Sequence, residues 1–427
     1  MRVLWVCNIM LPAIAEELGR EASNKEGWLT GLSEQFLKEP EAEKIELGIC
    51  FPIGAGEAPI QGKTRGIQWY GFPEDTAHPE RYDVGMEETL AAVLEAFRPD
   101  IVHVFGTEFP HGLAVARCVK NPAKLLVGMQ GICRACAEHY CDGLPPHIQS
   151  RSLLRDFLKQ DNILQQQQKF VRRAWREAQM LRRAGHIAGR TAWDRAETEK
   201  INPEAEYHLL NETLRPVFYK HCWQPEKCEK HSIFVSQANY PIKGFHYLLE
   251  ALPEIRRQFP DVKVYVAGDS VTGYHTLKEK LKIGSYGKYC LELIRRGGLE
   301  DVVRFLGKMD AEQMCRRYLD SSLFLSCSVI ENSPNSVGEA MLLGMPVVSS
   351  RVGGVPSMLR DKEEGLFCDC GDRDGLVRAV CTMFTDTAFA RQCGEKAREH
   401  ALQTHDGKKN FARLLEIYDS MLKNSEV

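Results

Sequence analysis

Short apolar runs alternate along this chain with longer segments whose apolar residues recur at helical spacing. Val3–Cys7 reads as a strand and Glu26–Lys38 as an amphipathic helix. Ile45–Phe51 and Ile67–Phe72 read as strands, Met86–Phe97 as a helix stopped by Arg98-Pro99, and Asp100–Phe105 and Lys124–Met129 as strands again. That alternation predicts an open parallel sheet with helices on both faces. The stretch Leu153–Arg183 is long, charged and glutamine-rich, and predicts one or two long helices. Strands return at His186–Gly189 and Tyr207–Leu210. Asn211–Lys230 carries two prolines and weak periodicity, and reads as a linker. A second alternating series follows, with strands at Ser232–Ser236, Val262–Ala267, Val302–Phe305, Leu323–Cys327, Val347–Ser350 and Leu366–Cys368.

The expected fold class is therefore α/β, with two Rossmann-like parallel-sheet domains facing across a cleft. The divisions are 1–212, a linker at 213–230, a second domain at 231–400, and a C-terminal helix at 401–427 that returns to the first domain. Ligands of such sheets bind at the carboxyl ends of strands, where the strand order reverses. The total of 427 residues suits two domains of about 100–200 residues each. A formal charge of -3 gives no reason to expect a nucleic-acid partner. The 15 cysteines are odd in number and scattered, the N-terminus does not read as a secretory leader, and no apolar run reaches about 18 residues. A reducing, cytoplasmic setting is expected.

The segment Glu331-Asn-Ser-Pro-Asn-Ser-Val-Gly-Glu339 carries the most chemistry. It runs from a strand through a polar turn into a helix that stops at Gly344-Met-Pro346. Ser333 or Asn335 can cap that helix, and Pro334 suits its first turn. Free amides at a helix start, together with the helix dipole, favour an anion such as a diphosphate. Glu331 can accept from sugar hydroxyls and Glu339 from the diol of a ribose. The same residues also read as a capped turn followed by a surface glutamate. The spacing Glu-x7-Glu, followed by Ala340-Met-x-x-Gly-x-Pro-Val-Val and Gly353-Gly354-Val-Pro, resembles the donor motif of retaining glycosyltransferase family 4.

The resemblance implies a GT-B fold and a nucleotide-sugar as substrate, with neither cofactor nor metal required. It puts Glu331 on the transferred sugar, Glu339 on the ribose, and the amides of Asn335, Ser336 and Val337 on the phosphates. Many members carry Gly-Phe-Gly where this chain has Asn332-Ser-Pro. The family's Gly-Arg followed by Lys-Gly matches at Lys243-Gly244, a point charge for phosphate. The arginine is absent, its turn being filled by Ser236, Gln237 and Asn239. The resemblance lays Gly307 and Met309 along the nucleotide base. It puts Gly27, Trp28, His111 and Gln130 on the acceptor or sugar side, Gln130 standing where many members have histidine. Gly189–Asp194 and Asn211–Tyr219 look like elements of a bacterial-type subgroup. Arg190 is expected to brace the linker by pairing with Asp194.

Other patterns are discounted. Cys133, Cys136, His139 and Cys141 lack a second Cys-x-x-Cys pair, so they read as structural thiols. Asp372-Arg-Asp374 reads as a helix cap, and Gly54-Ala-Gly56 lacks the third glycine of a dinucleotide fingerprint. The expected activity is retaining, metal-independent transfer of a sugar to a hydroxyl acceptor, a glycan or a lipid-linked sugar. Lys243 and Glu331 carry the chemistry. The basic stretch Lys169–Arg183 reads either as a peripheral contact with the anionic inner membrane face or as a solvated helix face. The rival readings are a sugar-nucleotide epimerase or phosphorylase on the same scaffold, and a non-catalytic sugar-nucleotide-binding protein.

Overall fold

The computed structural model describes residues 1–20, 27–38, 44–271 and 281–425. The chain divides into two compact units: Met1–Arg134 with Lys169–Leu214 and the stretch from His405, and Ala135–Gln168 with Arg215–Thr404.

The first unit holds an eight-stranded sheet made of β1 (Arg2–Val6), β2 (Glu46–Gly54), β3 (Ile60–Thr64), β4 (Ile67–Glu74), β5 (Ile101–Phe105), β6 (Leu125–Gly128), β7 (His186–Gly189) and β8 (Glu206–Leu209). Their order is β3-β4-β2-β1-β5-β6-β7-β8. The central strands are nearly continuous apolar runs because helices cover both faces. Val3, Trp5, Ile49, Phe51 and Ile101 are all buried in one core cluster. All pairings are parallel except β3 with β4. That antiparallel ribbon turns through Arg65-Gly66, both at positive φ (50° and 89°). This is the left-handed pair that a two-residue hairpin needs. The sequence pattern identified β4 but not β3, since arginine is an unusual first residue for such a turn.

The helix Gly407–Ser425 packs against this sheet. Trp5 Nε1 donates to the Tyr418 hydroxyl at 2.9 Å, and His103 Nδ1 lies 2.8 Å from the same oxygen. Burial pushes His103 down to about 3, so its ring is neutral.

The second unit holds β9 (Glu229–Val235), β10 (Lys263–Ala267), β11 (Val303–Gly307), β12 (Ser321–Ser326), β13 (Val347–Ser350) and β14 (Leu366–Cys368), all parallel. Their order is β11-β10-β9-β12-β13-β14. The chain steps outward from β9 to β11, then returns to the other side of β9 for β12. The order therefore reverses between β9 and β12, and the crevice at their carboxyl ends is where such a sheet binds ligand.

The segment Ala135–Gln168 belongs to this unit through polar contacts that no local pattern announces. Asp156 accepts from the Ser285 amide at 2.9 Å and from its hydroxyl, Arg151 pairs with Glu292 at 2.9 Å, and His246 Nε2 lies 3.2 Å from the Asp142 carbonyl. Of the one or two long helices expected within Leu153–Arg183, one is present, Ile163–Leu181, preceded by the short helix Leu154–Lys159. The expected linker Asn211–Lys230 contains a 3-10 turn at Pro216–Tyr219 and the start of β9. No helix among the described residues is long and apolar enough to cross a membrane.

Candidate functional site

Lys243 follows β9 and Glu331 follows β12, so the two flank the switch point of the second sheet. Lys243 Nζ donates to Glu331 Oε1 at 2.5 Å, and the Ser328 hydroxyl donates to the same oxygen at 2.9 Å. Both side chains are mostly enclosed, at 19% and 16% exposure. Burial alone would lower the lysine's pKa, but the Glu331 and Tyr240 charges outweigh it and hold Lys243 above its ordinary value. It is a fixed cation.

Two glycines make this approach sterically feasible. Gly244 sits at φ +62°, and a Cβ there would lie 1.8 Å from the Cys327 carbonyl oxygen. Gly353 sits at φ +51°, and its Cβ would lie 2.0 Å from the Glu331 carbonyl oxygen. The Gly354 amide donates to that carbonyl at 3.0 Å, and the Val329 amide donates to the Ile242 carbonyl at 2.8 Å. The Lys-Gly and Gly-Gly dipeptides thus let the loops after β9, β12 and β13 close against one another.

Beyond Glu331 the helix Asn335–Leu343 begins. Its cap is Pro334, which offers no side-chain hydrogen bond. This corrects the expectation that Ser333 or Asn335 caps it: Asn335 is already the first helical residue, and the extended Pro334 (φ -68°, ψ 118°) takes the cap position. The amides of Asn335 and Ser336, in the first turn, have no carbonyl four residues back inside the helix. The Val337 amide turns back to the Pro334 carbonyl at 3.0 Å. The site start is therefore a helix N-terminus with an adjacent cation, and that pairing favours a diphosphate.

Glu339, one turn further on, is buried at 4% exposure. Both its oxygens are held by Arg215, at 2.7 Å from Nε and 2.8 Å from Nη2. Burial disfavours the charge of Arg215, yet the neighbouring carboxylate more than restores it and lifts the guanidinium above its ordinary value. Sequence reasoning saw Glu339 but missed Arg215 and Ser328. Asn239 is exposed in the loop before Lys243. Gly307 (φ +78°) ends the edge strand β11 and Met309 follows it, two places from β9.

In the first unit, Gly27 and Trp28 open the helix Gly27–Lys38, and their side chains lie outside the described residues. His111 is enclosed at 1% exposure, with Nδ1 2.8 Å from Glu74 Oε2 and its ring stacked on Phe109. Gln130 Nε2 donates to Glu212 Oε1 at 2.7 Å. Arg190 corrects the expected brace: its guanidinium pairs with Glu212 at 2.7 Å and donates to the carbonyls of Met129 and Gln130. Asp194 meets Arg190 only through the backbone, its Oδ2 accepting from the Arg190 amide at 2.9 Å, while it also completes a capping box with Thr191 and accepts from the Tyr207 hydroxyl. Asp372 caps the helix Arg373–Thr385 through the Gly375 amide at 2.9 Å.

Residues 223–400 match the family model described as glycosyl transferases group 1. N-acetyl-alpha-D-glucosaminyl L-malate synthase of Bacillus anthracis is 30% identical over 148 residues, 34% of this chain and 38% of that protein. A GDP-mannose-dependent alpha-(1-6)-phosphatidylinositol monomannoside mannosyltransferase of Mycolicibacterium smegmatis is 27% identical over 184 residues, 42% of this chain and 44% of that one. The chain thus spans less than half the length of these curated relatives. Among solved structures, sucrose-phosphate synthase from Thermosynechococcus elongatus superposes with a TM-score of 0.72 at 14% identity, covering 99% of this chain and 100% of that one. Anabaena HepE in complex with UDP gives a TM-score of 0.65 at 16% identity, covering 98% and 100%. Two parallel-sheet α/β units with these structural neighbours make the fold of this chain GT-B, and its second unit carries the match to group 1 glycosyl transferases.

Proposed function

We propose that this chain is a retaining, metal-independent glycosyltransferase of the family 4 type. It moves a sugar from a nucleotide-sugar to a hydroxyl acceptor, a glycan or a lipid-linked sugar. The observation that carries the reading is the Lys243–Glu331 pair at the strand switch point, beside a helix start whose cap residue contributes no side-chain bond. Lys243 has three donors; Glu331 takes one and Tyr240 is a second partner, which leaves one for a phosphate oxygen. Both protein contacts of Glu331 fall on Oε1, so Oε2 faces the task of accepting from sugar hydroxyls. Departure of the diphosphate is stabilised by Lys243 and the amides of Asn335 and Ser336, charges already in place before the bond breaks, whereas the Val337 amide also expected there is spent on the Pro334 carbonyl. The leaving phosphate accepts the acceptor's proton as the hydroxyl attacks from the same face. Glu339, oriented by Arg215, takes the ribose diol.

The setting we propose is cytoplasmic, with peripheral membrane contact through the helix Ile163–Leu181. Its exposed residues include Arg172 and Trp175, and the exposed Arg182 follows its last residue, a mix suited to an anionic interface. Calorimetric titration with UDP-, GDP- and ADP-sugars, followed by transfer assays on Glu331→Ala, tests the reading. Glu331→Ala should abolish transfer and keep nucleotide binding. Failure of every nucleotide to bind the unmodified chain refutes it, and turnover without an acceptor points instead to an epimerase.

A further inference from the structure

A second cluster lies in the first unit, on the last two strands of its sheet. β7 and β8 pair in parallel, with His186 opposite Glu206 and Ala188 opposite His208. Side chains alternate along a strand, so Glu206 and His208, two apart, share a face, and His186 shares it through the pairing. The three converge: His186 Nδ1 lies 3.0 Å from His208 Nε2 and 3.5 Å from Glu206 Oε2. One ligand atom from each lies within 4.8 Å of the others. The two imidazoles are buried (4% and 3%), whereas the Glu206 side chain is 51% exposed on the last strand of the sheet.

We propose that His186, His208 and Glu206 bind a divalent transition-metal ion of borderline softness, zinc first, with water completing the shell. Two histidines and one carboxylate are a zinc ligand set, and nitrogens at about 2.0–2.1 Å on a tetrahedral ion stand roughly 3.3 Å apart. The observed 3.0 Å nitrogen separation needs little change to reach that. In the metal-free state one imidazole must donate its proton to the other. A cation takes the lone pairs of both ligating nitrogens instead, and the donor ring keeps its proton on its other nitrogen, so both imidazoles bind as neutral ligands. The positive charge of Arg413 is felt at His208, and Glu416 holds that guanidinium at 3.0 Å. Edge location gives the ion a way in past Glu206, and ligation ties the outermost strand to its neighbour. This is a structural role, independent of the transfer reaction proposed above.

The test uses the full metal-free chain in reducing buffer, titrated with cobalt(II) as a spectroscopic stand-in and with zinc by competition against a chromophoric chelator. The chain's 15 cysteines make thiolate binding the competing outcome. Expected are about one equivalent of ion, weak visible cobalt bands without a thiolate charge-transfer band, and slower amide exchange in β7 and β8 on zinc addition. Glu206→Gln, at an exposed position that leaves folding intact, and His208→Gln should each weaken zinc binding about tenfold or more. Wild-type affinity in both variants, or a cobalt spectrum made only of thiolate charge transfer, overturns the proposal.

Discussion

Replacing Arg215 by methionine removes the hydrogen-bond partner, among the described residues, of a carboxylate that is 4% exposed and held by two bonds of 2.7 and 2.8 Å. Breaking a buried ion pair from one side costs about 3–5 kcal/mol, because the survivor is left charged and unsolvated. Arg215 keeps 21% exposure, so water reaches its end of the pair and the lower figure applies. For a domain of about 150–250 residues, about 3 kcal/mol lowers the melting temperature by roughly 6–12 °C. The double variant Arg215→Met/Glu339→Leu should recover most of that loss, since replacing both partners by apolar groups is often close to neutral. Function separates the two variants. If Glu339 takes the ribose, freeing its carboxylate from the Arg215 fork should raise the nucleotide Kd about tenfold, equivalent to about 1.4 kcal/mol. The double variant should bind no better despite its regained stability. Arg215→Lys keeps a charge but not the two-pronged geometry and should fall between. Scanning calorimetry and titration with nucleoside diphosphate read both quantities. An Arg215→Met protein with unchanged melting and unchanged Kd refutes the assignment.

Lys243→Met should lower kcat by about 100- to 1000-fold, the usual loss when one preorganised charge-stabilising group is removed; a kcat within threefold of wild type excludes Lys243 from the leaving-group role. Gly353→Ala forces the Glu331 carbonyl away from a Cβ that would sit 2.0 Å from it. Turnover should drop on the order of 100-fold with nucleotide affinity little changed, as a displaced catalytic group predicts, and full activity there removes the steric argument. Burial lowers the buried His246 from 6.5 to about 4. Its neutral form is favoured only in the folded state, so its contribution is complete above pH 6.5 and is lost as pH falls from 6.5 through about 4. Urea unfolding of His246→Gln should show a shallower loss of stability across that window, and an unchanged slope counts against it. Trp175→Glu should weaken co-sedimentation with anionic vesicles, and equal binding of both proteins leaves the basic helix a solvated face.

How far the residues themselves disclosed this arrangement depends on sequence distance. Apart from β3, the strands of both sheets and the Glu331–Glu339 helix are local, and each is readable because an apolar run meets a turn signal within a few residues. Lys243-Gly244 and Gly353-Gly354 were also visible, though their reason was not: the carbonyls that exclude a side chain belong to Cys327 and Glu331, on other loops. The partners of the polar groups were hidden. Arg215 and Glu339 stand 124 positions apart, Asp156 and Ser285 129 apart, and nothing in either local pattern marks one for the other. His186 and His208, by contrast, are only 22 apart, on strands the pattern did identify. Their convergence needed one further fact, that β7 and β8 are neighbours paired in parallel with His186 opposite Glu206. Once pairing and register are fixed, alternation places all three ligand groups on one face. Strand order carries the same weight at the donor site. Lys243 and Glu331 are 88 residues apart, and they meet because β12 returns to the side of β9 that β10 left open. The residue types supply the chemistry in both places, and the reversal or pairing of strands decides which of them can act together.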